Sequence, residues 1–534
     1  MRFHTTAYKE LFAHGLEMRY YWLLSILLAM IFAWSHTQSP LFYSNQNQYL
    51  LHAAGKVPWG HLSQDWLANT RDPTPVFSGG ATILWKTVGV WSFQVIYFLA
   101  LMGYFLLLSH LVRVVFSLKW HFGWACVFIL LHAGILRFAS DRLIGVDYPW
   151  FFHCGLASQY ILGPGLQPSV FGVVVLAGIV AYSSGRTLLA VFLVAAANLV
   201  HSTYLLAAAM LTAGFILDHL LRRDWKTALK CGGLALLTVS PIVIFNWLKF
   251  GPADAELFRQ SQAIIAWDRI PHHTLLSRWF DWIAAVQVGW ILLAVAFLYR
   301  TRLFVPLLTT CILAAVGTLM VLQTHHATLA LMFPWRISAV LVPIATAINL
   351  GFLFSKIRCA PTWCQGIGIV ILLFTTGGAF YLYYNKLAYR EPEGENAAMD
   401  YVASTATAED LYLVPARFAK PTTKRGVFSS TFSRGPKRDA IVYFEMARFR
   451  LTTGARLFVD FKSIPYYADD IIEWKRRVER CVRWFGQSSW NEELIAEMKQ
   501  EGITHVVVPT QTPITSSHLE LKFEGGTYRV YQLK

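Results

Sequence analysis

Along most of this chain polar and apolar positions segregate into long apolar blocks divided by short polar breaks. A bilayer core of ~30 Å takes about 20 apolar residues per helix. Eleven blocks approach that length: 20–35, 87–111, 121–137, 166–183, 187–200, 202–220, 231–248, 281–299, 303–323, 337–355 and 365–385. They predict an α-helical polytopic membrane body of about eleven transmembrane helices. The block 187–220 is too long for one span, and its polar centre at Asn198, His201 and Ser202 predicts a tight hairpin at the far surface. After Asn385 the pattern changes. Leu411–Pro415, Arg456–Phe461 and His505–Pro509 read as short buried strands. Asp469–Phe485 and Ser489–Glu501 read as helices, and Phe523–Tyr528 as a hairpin turn. Strand–helix–strand order argues for a parallel-leaning sheet. The expected division is a multispan domain over 1–385, with a long first outer loop at 36–86, and an α/β domain over 386–534.

Composition narrows the class further. The chain is 55% hydrophobic and only 14% charged, against roughly 25% charged in soluble proteins. So few charges cannot coat several water-facing domains, and so many apolar residues exclude disorder. The net charge of +15 lies mostly in the body, where basic residues mark cytoplasmic anchors facing anionic lipid. Arg2, Lys9 and Arg19 precede the first block. Arg113 and Lys119, Arg186, Arg222 to Lys230, Arg300 and Arg302, and Lys356 and Arg358 fall in alternate loops. This puts the N-terminus inside and the α/β domain outside. No basic run lies on an aromatic-studded soluble surface, so nucleic acid is not an expected partner. The absence of any Asn-x-Ser/Thr sequon favours a bacterial inner membrane facing a periplasm. Seven cysteines are expected to pack as free thiols. Neither a Gly-x-Gly-x-x-Gly nor a Walker loop is present, so a nucleotide site is not supported.

The outside loops are the long ones, and they hold the candidate chemistry. The first carries His52, His61, Asp65, Asn69, Arg71 and Asp72, with room for two short helices along the membrane surface, the second of which Pro73 and Pro75 are expected to stop. A carboxylate there, Asp65 or Asp72, could deprotonate an acceptor hydroxyl. Arg71 could hold a phosphate and stabilise it as it leaves. The bland alternative is that Asp72 caps the proline turn and Arg71 pairs with it or with headgroups. The second outer loop offers Asp141, Arg142, Asp147 and Tyr148, and the hairpin offers His201. Arg336 follows Pro334-Trp335 at the start of a helix; it is either an anion ligand or an interfacial anchor. His325 and His326 read as surface imidazoles. A metal ion here would need a carboxylate or a third nitrogen from another loop. In the tail, the basic Arg417–Arg438 loop reads as a phosphate or acidic-glycan grip, or as a solvated loop.

With its N-in body, acid-bearing first loop, outside α/β domain and Phe333-Pro-Trp-Arg336 stretch, the chain resembles integral-membrane glycosyltransferases of the GT-C superfamily, as a divergent member. The resemblance implies a polyprenyl-phosphate-linked sugar as donor, a glycan or lipid acceptor, and a first-loop aspartate as base, a role that would fall to Asp65 or Asp72. Arg71, Arg336, His201 and Arg142 would then bind the donor phosphate. One departure stands out: Ser35 to Gln64 contains no acid, and the stretch nearest the first span reads Asn45-Gln-Asn-Gln48. Two rival readings remain. A polysaccharide polymerase or ligase would use arginines and histidines at the same face without a catalytic carboxylate. A transporter or assembly partner would need inverted repeats or a pure docking tail, and no clear repeat is found.

Overall fold

The computed structural model describes residues 15–36, 39–118, 120–252, 254–357, 361–389, 393–419, 441–512, 514 and 516–534. Each of the eleven apolar blocks is helical. Among the described residues, six helices are long and apolar enough to cross a membrane: Trp91–Phe116, Ser202–Leu221, Trp225–Phe250, Phe304–Thr324, Ala327–Lys356 and Gln365–Tyr384. A seventh candidate is His121–His132 with Gly134–Ile144, bent by 56° at Ala133. Trp22–Ser35, Pro168–Ser183, Thr187–Val200 and Trp282–Phe297 are apolar but shorter. The chain is a multi-pass membrane protein. Local chemistry sets the helix starts: Asp224 accepts from Thr227 N–H, and Asp281 from Ile283 and Ala284 N–H, which satisfies otherwise orphaned donors.

At one end of the helix bundle Arg222 and Arg302 gather around Tyr182 and Asp218. The Asp218 carboxylate accepts from the Tyr182 hydroxyl and pairs with Arg222 at 3.0 Å, while Arg302 lies over the Tyr182 ring. The hairpin at His201 is present, between Thr187–Val200 and Ser202–Tyr204. The first outer loop is less regular than expected. It forms four single turns, at Gln46–Tyr49, Leu51–Ala54, Leu62–Gln64 and Leu67–Asn69, and then the helix Pro75–Thr87. Pro75 opens that helix instead of stopping one, because the first helical position needs no N–H.

The tail folds around its own apolar core. Strands β1 (Leu411–Leu413), β4 (Arg456–Leu457), β5 (His505–Pro509), β6 (Leu519–Gly525) and β7 (Tyr528–Leu533) form one sheet, in the order β4-β1-β5-β7-β6. The β4, β1 and β5 pairings are parallel, and the final hairpin adds the antiparallel edge. Strands β2 (Ala416–Ala419) and β3 (Ile441–Phe444) form a separate antiparallel pair. The basic loop read from the sequence lies, from residue 420 on, outside the described residues.

The first loop and the tail are stitched together. The Gln48 amide exchanges two hydrogen bonds with the Ile464 backbone, at 3.0 and 2.6 Å. Trp59 Nε1–H donates to the Leu451 carbonyl at 2.7 Å, and His61 N–H to the Gly454 carbonyl at 2.7 Å. Gly60 (φ +54°) meets Gly454 so closely that a Cβ there would lie 2.4 Å from the Gly454 oxygen. Only glycine fits this crossing.

Candidate functional site

Where the first loop, the 158–169 loop, the hairpin at His201, the 262–273 segment, the 331–336 turn before the Ser338–Lys356 helix and the tail converge, they enclose a cavity of about 370 Å³. Its walls carry the cations Arg269, Arg336 and Lys462, the imidazoles His201, His272 and His273, and the phenols Tyr49, Tyr160 and Tyr466. No Asp or Glu lines it among the described residues. Unscreened positive charge in a concave, partly dry site selects for an anion.

Arg336 is placed by its neighbours. Phe333 takes φ +49°, a left-handed conformation uncommon for a bulky residue, and Pro334 then opens a single 3₁₀ turn that turns Arg336 inward. The Arg336 guanidinium donates to the Gln159 side-chain oxygen and, through Nη2, to His201 Nε2 at 3.1 Å, and it lies 5.1 Å from the centre of the Tyr204 ring. Because a guanidinium only donates, His201 Nε2 accepts, and the neutral ring carries its proton on Nδ1. That N–H is buried with no partner, as are the hydroxyls of Ser169 and Thr203 and the Nε–H of Arg269, all on the cavity wall. Buried donors left open in this way mark a place for an acceptor. Ala157 and Ser158, just before Gln159, also have positive φ. Three left-handed residues at one rim are backbone strain gathered at a site.

Opposite lies a second cationic group. Arg269 Nη2 donates to the Lys462 carbonyl at 2.6 Å, and its guanidinium lies 5.1 Å from the centre of the Phe461 ring. Burial, and then the Arg269 charge, push the Lys462 ammonium down to about 7. Burial also lowers Arg269. His273 is pushed down to about 4 by burial, against the pull of its bond to the Ala157 carbonyl and helped by Arg336, Arg269 and Lys462. Burial raises the Tyr49 and Tyr466 phenols, which therefore stay protonated.

Of the residues singled out in the sequence, Arg336 and His201 meet in this cavity. The others lie elsewhere. Asp65 is fully buried: its Oδ1 accepts from Leu67 and Ala68 N–H at 3.0 and 3.1 Å, and its Oδ2 from Arg450 Nε and Leu457 N–H, both at 3.0 Å. Asp65 and Asn69 share no helix face, because Asp65 is extended and caps the turn after it. Asp72 Oδ1 accepts from Thr74 N–H at 2.9 Å and from the Ser78 hydroxyl at 3.1 Å, and its Oδ2 pairs with Lys56 at 3.4 Å. Only its neighbours Pro73 and Thr74 reach the cavity wall. Arg71 stacks 3.3 Å over the Tyr467 ring and donates to the Lys249 carbonyl at 2.6 Å. Arg142 is exposed, with its guanidinium 5.2 Å from the Phe138 ring. No three His, Cys, Asp or Glu among the described residues are arranged to hold a metal ion.

Sequence reasoning missed Arg269, His272, His273, Lys462 and Tyr466. The run Asp268-Arg269-Ile-Pro-His272-His273 in the third long outer loop was a usable signal of the same kind as Arg336. Lys462 carried none, since one lysine after a strand is ordinary.

A family model described as Domain of unknown function (DUF6798) matches residues 437–481. This stretch contains Arg450, Asp460 and Lys462. No curated protein matches the chain. Among solved structures, the chain is similar to the crystal structure of ArnT from Cupriavidus metallidurans bound to undecaprenyl phosphate. The likeness has 11% sequence identity and a TM-score of 0.37, and covers 97% of this chain and 98% of that one.

Proposed function

We propose that this protein is a GT-C-like membrane glycosyltransferase that moves a sugar from a lipid-phosphate carrier to a lipid or glycan acceptor at the outer membrane face. The observation that carries this reading is the cavity itself: Arg269, Arg336, Lys462 and several open donors lie on its wall, and no carboxylate does among the described residues. A phosphate held by Arg336 and Arg269 gains charge-assisted hydrogen bonds, and these strengthen as it leaves the sugar and takes on a second negative charge.

In this reading the six long helices, the bent pair and the four shorter apolar helices are the eleven crossings. The end bearing Arg302 and Arg222 faces the cytoplasm, and the cavity with the tail faces the periplasm of a bacterial inner membrane. A polysaccharide polymerase or ligase is the second reading, and the absence of acids from the cavity wall favours it specifically. Such an enzyme would tolerate loss of Asp72 in transfer while losing activity with His201→Ala.

The deciding experiment is binding of farnesyl phosphate to the purified full-length protein, with farnesol as the control. Phosphate-dependent binding that Arg336→Ala abolishes is the expected result. Equal binding of farnesol and farnesyl phosphate overturns the reading. A reporter fused after Asn385 that is active in the cytosol overturns the sidedness.

A further inference from the structure

A transfer of this kind releases a proton from the acceptor, and the cavity has no carboxylate to take it. The groups on its wall can be sorted by what they can accept. Arg269 and Arg336 only donate. His201 has its Nε2 lone pair engaged by Arg336 and presents only an N–H. Tyr49 and Tyr466 are protonated phenols hydrogen-bonded to one another, and burial likewise keeps the Tyr160 phenol protonated. His273 donates its Nδ1–H to the Ala157 carbonyl at 2.6 Å, and burial, aided by the neighbouring cations, makes its remaining nitrogen a poor base. His272 lies with its ring tilted against that of His273, centres 4.1 Å apart, and burial, then His273, Arg269 and Lys462, drive it well below the usual imidazole range. Lys462 is left.

The backbone on either side of Lys462 is held with unusual care. Asp460 accepts from Arg450 Nη1–H and from Ser463 N–H at 2.6 Å. Arg450, only 4% exposed, also donates to Asp65 at 3.0 Å and to the Leu457 carbonyl at 2.7 Å. The Ser463 hydroxyl donates to the Asn47 carbonyl at 3.1 Å, and Ile464 is tied to Gln48. The loop 460–464 is therefore pinned to the first outer loop on both sides of the lysine. The charged and titratable groups around its ammonium are Arg269 and Asp460, with His272 and His273 within its field.

We propose that Lys462 is the proton acceptor of the transfer reaction, and that Asp65, Arg450 and Asp460 are the positioning residues that hold it in the cavity. This rests on the lipid-phosphate reading above. The acceptor oxygen's lone pair forms the bond to the anomeric carbon. The bond from that carbon to the phosphate oxygen breaks, and its electron pair leaves with the phosphate. The acceptor's proton passes to the Lys462 nitrogen. A neutral amine and a monoanionic diester become an ammonium and a dianionic monoester, so the total charge is unchanged and the new cation lies beside the new anion. The lowered proton affinity of the amine, set by burial and Arg269, suits this exchange near neutral pH.

The test is calorimetric titration of farnesyl phosphate, a mimic of the released carrier, into the full-length protein at about pH 8, where the monoester is already dianionic. Two buffers of different ionisation enthalpy report the protons exchanged. The wild type should take up close to one proton per phosphate bound. Lys462→Arg keeps the cation and should bind without proton uptake; Lys462→Met should bind about tenfold more weakly, also without uptake. A His273→Phe variant should retain the wild-type uptake. If Lys462→Arg takes up as much as the wild type, the proton goes elsewhere and the assignment of Lys462 fails while the phosphate reading stands. If the wild type shows no phosphate-dependent binding, both fall.

Discussion

Two buried arginines in this molecule have opposite surroundings. Arg450 lies between the carboxylates of Asp65 and Asp460, and donates its remaining N–H to a carbonyl. Arg336 is nearly as buried, yet its partners are an amide oxygen, a neutral imidazole and a ring face. Both charges lost hydration on folding. For Arg450 the loss is offset inside the protein, so the residue joins the first loop to the tail. For Arg336 the loss is left partly open, and in the proposed function a bound anion completes it. The difference shows that burial of a charge does not separate structure from function; the presence or absence of a counter-charge does. Asp65 and Lys462 divide the same way, with every lone-pair direction of the carboxylate used and the lysine on the cavity wall.

That contrast can be broken most severely at Asp65. Asp65→Ala strands Arg450 in the interior, and is expected to cost roughly 3–5 kcal/mol of stability, read as a lowered Tm that separates the tail from the first loop. Arg336→Ala removes no counter-ion's partner, so the fold should survive with a Tm near that of the wild type. Transfer should then fall about 10²–10³-fold, measured as labelled sugar moved in membranes. A Tm loss as large as that of Asp65→Ala would place Arg336 on the structural side.

The third test uses pH. Below about 7 Lys462 is already an ammonium in the empty cavity; above it, phosphate binding must first recruit a proton. Affinity for farnesyl phosphate should therefore be greatest between about pH 6 and 7, fall by up to about tenfold per unit above that window, and weaken below about 6 as the monoester itself takes a proton. Lys462→Arg should remove the fall. Asp72→Asn should cost only about 1 kcal/mol, since the amide keeps an acceptor for Thr74 N–H. Arg142→Ala, exposed and outside the cavity wall, should leave phosphate binding and Tm unchanged.

Much of the architecture was legible because its signals are local. Apolar blocks became helices, the polar break at His201 became the hairpin, and the 505–509 run became a sheet strand. The parallel half of the tail's sheet follows from strand–helix–strand order, while the antiparallel edge follows from the Gly525–Gly526 turn. The first loop misled for an equally physical reason. Asp65 and Asn69 have helical spacing, but Asp65 bonds the two N–H groups ahead of it more readily than it joins a helix. Pro75 breaks a helix from inside and starts one from its first position.

The sequence by itself determined that this chain lives in a bilayer, that its charge is polarised along its loops, and that an arginine after Phe333-Pro-Trp stands where an apolar helix begins. Those properties belong to neighbours along the chain, and hydropathy and backbone chemistry act at that range. Which charges meet a counter-charge was decided only by the tertiary structure. Asp65 and Arg450 are 385 positions apart, and Arg336 reaches His201 across 135. Coulomb energy depends on distance in space and on the water excluded between groups, and neither quantity is written in the order of residues.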